Sequence, residues 1–260
     1  MYEPADDTFL LLDALEVDVL RSWNALQKER IEIGEGKGVM EVRTLELGVG
    51  SGVNTVKIGQ LLQPCLSLDS TSPVANVSCY ATDINPDAIT IAEGTMKANG
   101  FGNVLVNDGE EVKTEGCSAS PNQPIFTLKL IDLCGAPGAK PELNKDIGRW
   151  YGEEGFDFLI FNPPYVPTPQ DEVGIFNDQN CSGIEASWAG GEDGRYVIDR
   201  ALPEIARVMR KGGVVYMITV DENRPEEVLG VMESLGFKGE VFVRRQARNE
   251  FLSVLRMVKM

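Results

Sequence analysis

The chain has 260 residues, 43% of them hydrophobic and 25% charged, a composition that suits one sizeable core in a soluble globular protein, with one α/β domain as the first expectation. Its 40 acidic against 24 basic residues give a net charge of −16, which argues against tight, sequence-independent binding to a phosphate backbone and favours a basic partner. There is no histidine, so Ser-His and Cys-His nucleophilic catalysis and His-ligated metal sites are excluded.

No apolar run approaches the roughly 20 residues needed to cross a bilayer, and MYEPADD is acidic where a signal peptide is basic, so neither membrane nor nucleic acid is an expected partner. The cytosol is the expected compartment, with the nucleus as a second. Five cysteines (Cys65, Cys79, Cys117, Cys134 and Cys181) are widely spaced and form no C-x-x-C pair; reduced thiols are expected, and no metal site.

In chain order, Phe9, Leu10, Leu12, Leu15 and Val19 recur at helical spacing after Asp6 and Asp7, predicting a helix that ends near Leu20. The Gly- and charge-rich stretch 30–41 reads as a loop. Thr44–Leu47 is a short strand leading through a glycine cluster into a helix over Val53–Leu62; a second strand, Val77–Thr82, leads into a helix from Pro86 to about Asn99-Gly100. Val104–Val106 and Phe126–Ile131 read as strands on either side of a polar insertion. Then come a strand at Phe156–Phe161, a helix over Arg195–Met209, a strand at Val214–Thr219, a helix over Pro225–Leu235, and strands near 240–244 and 251–256. This alternation predicts an open, mostly parallel sheet with helices on both faces, closed by an antiparallel hairpin. With no internal repeat or linker, residues 1–260 read as one domain with surface insertions near 21–43, 63–76, 107–126 and 134–155.

The first strand delivers G-x-G-x-G at Gly48, Gly50 and Gly52 to a helix start, the place where open α/β sheets bind ligands. A turn that binds nothing is the bland alternative. A dinucleotide fingerprint wants a third glycine where Val53 stands, so that reading fits poorly. The spacing suits S-adenosylmethionine better: Asp83, ending the second strand, is placed to accept from both ribose hydroxyls. Glu46 is placed to face the methionine ammonium or the sulfonium, or is simply a charged residue at a strand end. For the adenine amine the choice is Asp132 with Leu133 beside it, and Asp108 is the alternative.

FLIFNPPY, residues 158–165, carries the strongest chemical signal. A planar amide or aromatic amine has a delocalised lone pair, and to attack a methyl group in line it must be gripped by both N–H groups. The Asn162 side-chain oxygen and the Pro163 carbonyl supply two acceptors, the prolines contribute no competing N–H, and Tyr165 offers a flat face. A proline-rich turn that merely ends a strand is the alternative, and on its own the tetrapeptide favours it. In combination with G-x-G-x-G and Asp83 the clamp is the better reading. No general base is then needed, because the proton can leave after transfer.

The chain resembles the HemK-like release-factor glutamine methyltransferases of eukaryotes and archaea. YEPADDTFLLLDAL (2–15), LELGVGSGVNT (45–55), TDINPDA (82–88), FNPPYVPTP (161–169), GIEASWAGGEDGR (183–195) and RQARNEFLSVL (245–255) look like family segments in family order. The resemblance implies a Rossmann-like class I methyltransferase fold with a seven-stranded sheet, S-adenosylmethionine as cofactor, and as substrate the glutamine of the Gly-Gly-Gln motif in a class 1 translation termination factor. It implies that Thr8 closes over the cofactor, and that Glu46, Gly48, Asp83, Asp132, Leu133 and Asn162 line the site. It also implies a small zinc-binding activator subunit. The insertions depart from the compact family pattern and leave Asp132 and the partner surface open. Adenine-amine nucleic-acid methylation, protein lysine methylation and a non-enzymatic scaffold are the competing functions.

Overall fold

The computed structural model describes residues 3–32, 40–66, 74–107, 123–131, 155–169, 188–248 and 250–260. The helices are α1 (Asp6–Glu32), α2 (Val53–Leu62), α3 (Pro86–Ala98), α4 (Tyr196–Val208) and α5 (Pro225–Ser234). The strands are β1 (Met40–Leu47), β2 (Val74–Asp83), β3 (Val104–Asn107), β4 (Ile125–Leu130), β5 (Phe156–Phe161), β6 (Met209–Val220), β7 (Phe237–Ala247) and β8 (Glu250–Lys259). They form one sheet in the order β3-β4-β2-β1-β5-β6-β8-β7, parallel from β3 to β6 and antiparallel across β6, β8 and β7. The sheet has eight strands among the described residues, not seven, because the short β3 adds an outer edge beyond β4.

Every residue of β5 is buried, as a central parallel strand covered on both faces requires. One apolar cluster joins α1, α2 and α3 to one face of the sheet; the other joins α4 and α5 to the opposite face. The expected helices and strands are present, several of them longer than the patterning suggests. α1 does not stop near Leu20 but runs on to Glu32, keeping Trp23 and Leu26 in its buried stripe. Two polar members of that stripe explain its weak signal. Asp18 meets Tyr216 on β6 and Arg256 on β8, and Arg30 pairs at 3.2 Å with the buried Asp157 of β5. Acids in the first turn and Arg30 in the last also complement the helix dipole.

Register sets the site. Leu47 pairs with Thr82 on one side and Phe161 on the other, so Gly48, Asp83 and Asn162 leave the sheet at one level on adjacent strands. The order reverses about β1, since β2 lies to one side and β5 to the other, and a crevice opens above such a switch point.

Candidate active site above strands β1, β2 and β5

Gly48 and Gly50 hold φ of +66° and +49°, a left-handed conformation that side chains resist. A Cβ added to either would meet no atom within 4 Å, so the bare turn faces open space. Gly52 differs, because a Cβ there would lie 2.9 Å from Ala92 Cα; it lets α2 and α3 pack closely.

Asp83 sits beside this turn. Its Oδ2 accepts the Gly50 N–H at 3.0 Å and its Oδ1 the Asn85 N–H at 2.9 Å, which fixes the carboxylate and leaves lone pairs for a diol. Burial pushes its carboxyl above the usual range, opposed by the backbone N–H groups of Gly50, Asn85 and Ile84.

Glu46 is 2% exposed. Its Oε1 accepts from Asn54 Nδ2 at 3.0 Å and its Oε2 from the Thr55 N–H at 2.9 Å and the Thr55 hydroxyl. α2 has no side-chain cap of its own at Gly52, and Glu46, reaching over from β1, supplies the missing acceptor. Burial raises its carboxyl to about 7, the bonds from Thr55 and Asn54 oppose that, and nearby Asp83 adds to it. Asn54 Oδ1 is buried beside it with no partner.

At the end of β5, Asn162 Nδ2 donates to Asp7 Oδ2 at 3.0 Å and the Tyr165 hydroxyl donates to the same oxygen at 3.2 Å. Asn162 Oδ1 is buried without a hydrogen-bond partner. Thr8 is 9% exposed and gives its N–H to Asp7 Oδ1 at 2.6 Å, so the start of α1 lies against the clamp. The far side is held by the fully buried Asn223. Its Nδ2 donates to the Tyr165 carbonyl at 2.9 Å and the Asp193 carbonyl at 3.0 Å, and its Oδ1 accepts the Val220 N–H at 2.8 Å. Gly194 has no room for a side chain, since a Cβ would stand 2.0 Å from the Tyr165 carbonyl oxygen. Val166 N–H bonds the Trp188 carbonyl and Gly190 N–H bonds the Val166 carbonyl, completing the seat.

The structure thus brings Thr8, Asn162 and Tyr165 together around Asp7, with Pro163 between the last two in the chain, and sets Glu46 on β1, Gly48 and Gly50 in the turn after it, and Asp83 at the end of β2. Asp132, Leu133 and the alternative Asp108 lie outside the described residues. The last described residue before them, Ile131, donates its N–H to the Asp83 carbonyl at 2.8 Å. Sequence reasoning missed Asp7 and Asn223. Asp7 reads as an ordinary helix-start acid, and nothing local marks Asn223; only the tertiary fold joins them to N-P-P-Y.

The arrangement offers a glycine turn with open space, a fixed carboxylate beside it, and an amide oxygen with nothing to accept. Those features suit a nucleoside-bearing methyl donor and a planar nitrogen acceptor. No family model matches the chain. The methyltransferase HEMK2 of Homo sapiens is 35% identical over 259 residues, covering 100% of this chain and 90% of that protein. The eRF1 methyltransferase catalytic subunit mtq2 of Schizosaccharomyces pombe is 29% identical over 261 residues, covering 100% and 89%. Among solved structures, the E. cuniculi Mtq2–Trm112 complex, which methylates the eRF1 translation termination factor, aligns over 100% of this chain and 98% of that one with 21% identity and a TM-score of 0.49. The near full-length match to the human enzyme, reached independently of the clamp geometry, makes this chain a member of the HEMK2 family of S-adenosylmethionine-dependent methyltransferases.

Proposed function

We propose that this enzyme transfers the methyl group of S-adenosylmethionine to the side-chain amide nitrogen of the glutamine in the Gly-Gly-Gln motif of a class 1 translation termination factor. The observation that carries this is the buried, unpartnered Asn162 Oδ1. An acceptor withheld from water and from the protein costs about 1–3 kcal/mol unless something donates to it, and a primary amide brings two N–H groups.

The cofactor supplies an electrophilic methyl on a sulfonium. Around it, Gly48 and Gly50 give backbone approach, Asp83 takes the ribose hydroxyls, and Glu46 presents negative charge to the cationic methionine end. Asn162 Oδ1 and the Pro163 carbonyl hold the two amide protons, turning the nitrogen's electron density to the methyl carbon. The Tyr165 ring flanks the amide plane. The extra proton leaves to solvent after transfer. Asp132 and Leu133 are assigned to the adenine.

The yeast relative is named a catalytic subunit, which supports a partner here. The two sheet edges among the described residues differ in a way that supports one docking place over the other. β7 carries Lys238, Glu240, Arg244 and Arg245, charges that discourage strand addition, whereas β3 reads Val-Leu-Val with Val106 40% exposed. We assign the β3 edge to a small zinc-binding activator that adds a strand there. We place the reaction in the cytoplasm, with the nucleus as a second compartment.

The test is methylation of a purified termination factor by this chain with and without such a partner, the product mapped by mass spectrometry. Methyl on the Gly-Gly-Gln glutamine is expected; methyl on lysine or on adenine instead overturns the assignment. Asn162→Ala is expected to cut turnover on the order of 100-fold or more with cofactor affinity within about threefold. Near wild-type turnover with unchanged cofactor affinity would remove the clamp.

A further inference from the structure

Asp7 stands 155 residues before Asn162, yet one of its oxygens receives both Asn162 Nδ2 and the Tyr165 hydroxyl. A primary amide is ambiguous: rotated by half a turn, its NH₂ would face the incoming substrate and repel the N–H groups it is meant to hold. A carboxylate accepts and never donates, so it can bond only the nitrogen end of Asn162. The oxygen end must then face away, and Oδ1 is the atom found buried and unpartnered.

We propose that Asp7 is the positioning residue of the amide clamp, fixing which end of Asn162 meets the substrate and enriching that oxygen in electron density. The second effect follows from the first. A charge-assisted N–H···O⁻ bond on Nδ2 polarises the amide toward its oxygen, and a chain of such bonds strengthens each link. Oδ1 then draws harder on the substrate N–H, and the substrate nitrogen becomes the better nucleophile. Asp7 touches neither the methyl donor nor the reacting nitrogen in this scheme; it acts through Asn162 and, by holding the phenol, through Tyr165. The inference rests on the proposed amide-clamp role of Asn162.

A cycle of variants tests it. Asp7→Ala is expected to lower kcat on the order of 10- to 100-fold, with KM for the termination factor and cofactor affinity both within about threefold. Asp7→Asn keeps the shape but can present either end to Asn162, so its kcat falls in between. In an Asn162→Ala, Tyr165→Phe background, Asp7→Ala is expected to cost less than about threefold more, because its two targets are gone. Equal costs in both backgrounds, or a loss confined to KM or stability, would overturn the proposal. A substrate-free measurement separates this from the functional reading. The Asn162 side-chain NH₂ signals in a ¹⁵N spectrum of the full chain should show one proton shifted downfield and slow to exchange, and lose both properties in Asp7→Ala; unchanged signals also overturn it. If the wild-type protein methylates no Gly-Gly-Gln substrate, the functional reading fails while the NMR result still decides the role of Asp7.

Discussion

Two acidic side chains of α1, one buried and one half-buried, are built into opposite kinds of network. Midway along the helix, Asp18 Oδ2 accepts from the Ser22 hydroxyl at 2.7 Å, the Tyr216 hydroxyl at 2.7 Å and Arg256 Nε at 2.5 Å, and Arg256 Nη2 returns a bond to Ser22 Oγ at 2.9 Å. Burial alone would raise the Asp18 carboxyl, but the bonds from Arg256, Ser22 and Tyr216 bring it below its ordinary value. Its contribution is therefore present above the ordinary Asp range and is lost as pH falls through the lowered value. At the first turn of the same helix, Asp7 also gathers donors, but the residue it holds keeps an acceptor without a partner. One network closes on itself and holds the helix; the other leaves Asn162 Oδ1 unpaired, the atom proposed to take the substrate N–H.

Removing members should separate the two kinds of network. Asp18→Ala leaves Arg256 and Tyr216 without their partner and is expected to cost about 3 kcal/mol of stability in urea denaturation, with turnover per folded molecule unchanged. Turnover falling in step with stability would erase the contrast. Asn223→Ala is the mixed case, because the residue is fully buried and its bonds reach the clamp's backbone. It should lose about 2 kcal/mol and, per folded molecule, turnover on the order of tenfold. Glu46 sharpens the comparison through pH. A carboxyl raised to about 7 favours the folded state at low pH, a preference lost as pH rises through that value, so ionising it works against folding and in favour of a cationic ligand. Cofactor should bind about tenfold tighter at pH 8 than at pH 6, with proton release on binding below about pH 7 that fades above it, and Glu46→Gln should flatten the profile, as calorimetry in buffers of different ionisation enthalpy would show. The smallest effect belongs to Arg245–Asp13, a pair at 2.7 Å with both side chains about half exposed; Asp13→Ala should change stability by less than about 1 kcal/mol and leave turnover alone.

The sheet was readable because its strands are short apolar runs bounded by turn residues, and N-P-P-Y stood out only in combination with the upstream G-x-G-x-G and Asp83. Strand β3 was visible as Val104–Val106, but whether it joined the sheet as an eighth strand depended on a partner strand across an insertion. The lower half of α1 was missed for a physical reason: Asp18, Ser22 and Arg30 face inward there, and a stripe interrupted by buried polar groups loses its period. The supports of the clamp were invisible for a different reason. Asp7 and Asn223 are ordinary residues locally, and their role exists only once α1 and the end of β6 converge on Tyr165. Sequence carried the residues proposed to meet substrate; the residues that hold them in place came from tertiary structure.

The level register of Gly48, Asp83 and Asn162 has a consequence for how such a chain can change over generations. β1 and β2 are entered at Met40 and Val74, at the opposite rim of the sheet. Residues added there lengthen a connection and leave the three exits aligned. A single residue added inside β1, β2 or β5 would slide one exit against its neighbours and turn every following side chain to the other face. Tolerance to insertion should therefore be lopsided: generous where these strands begin, absent within their last four residues.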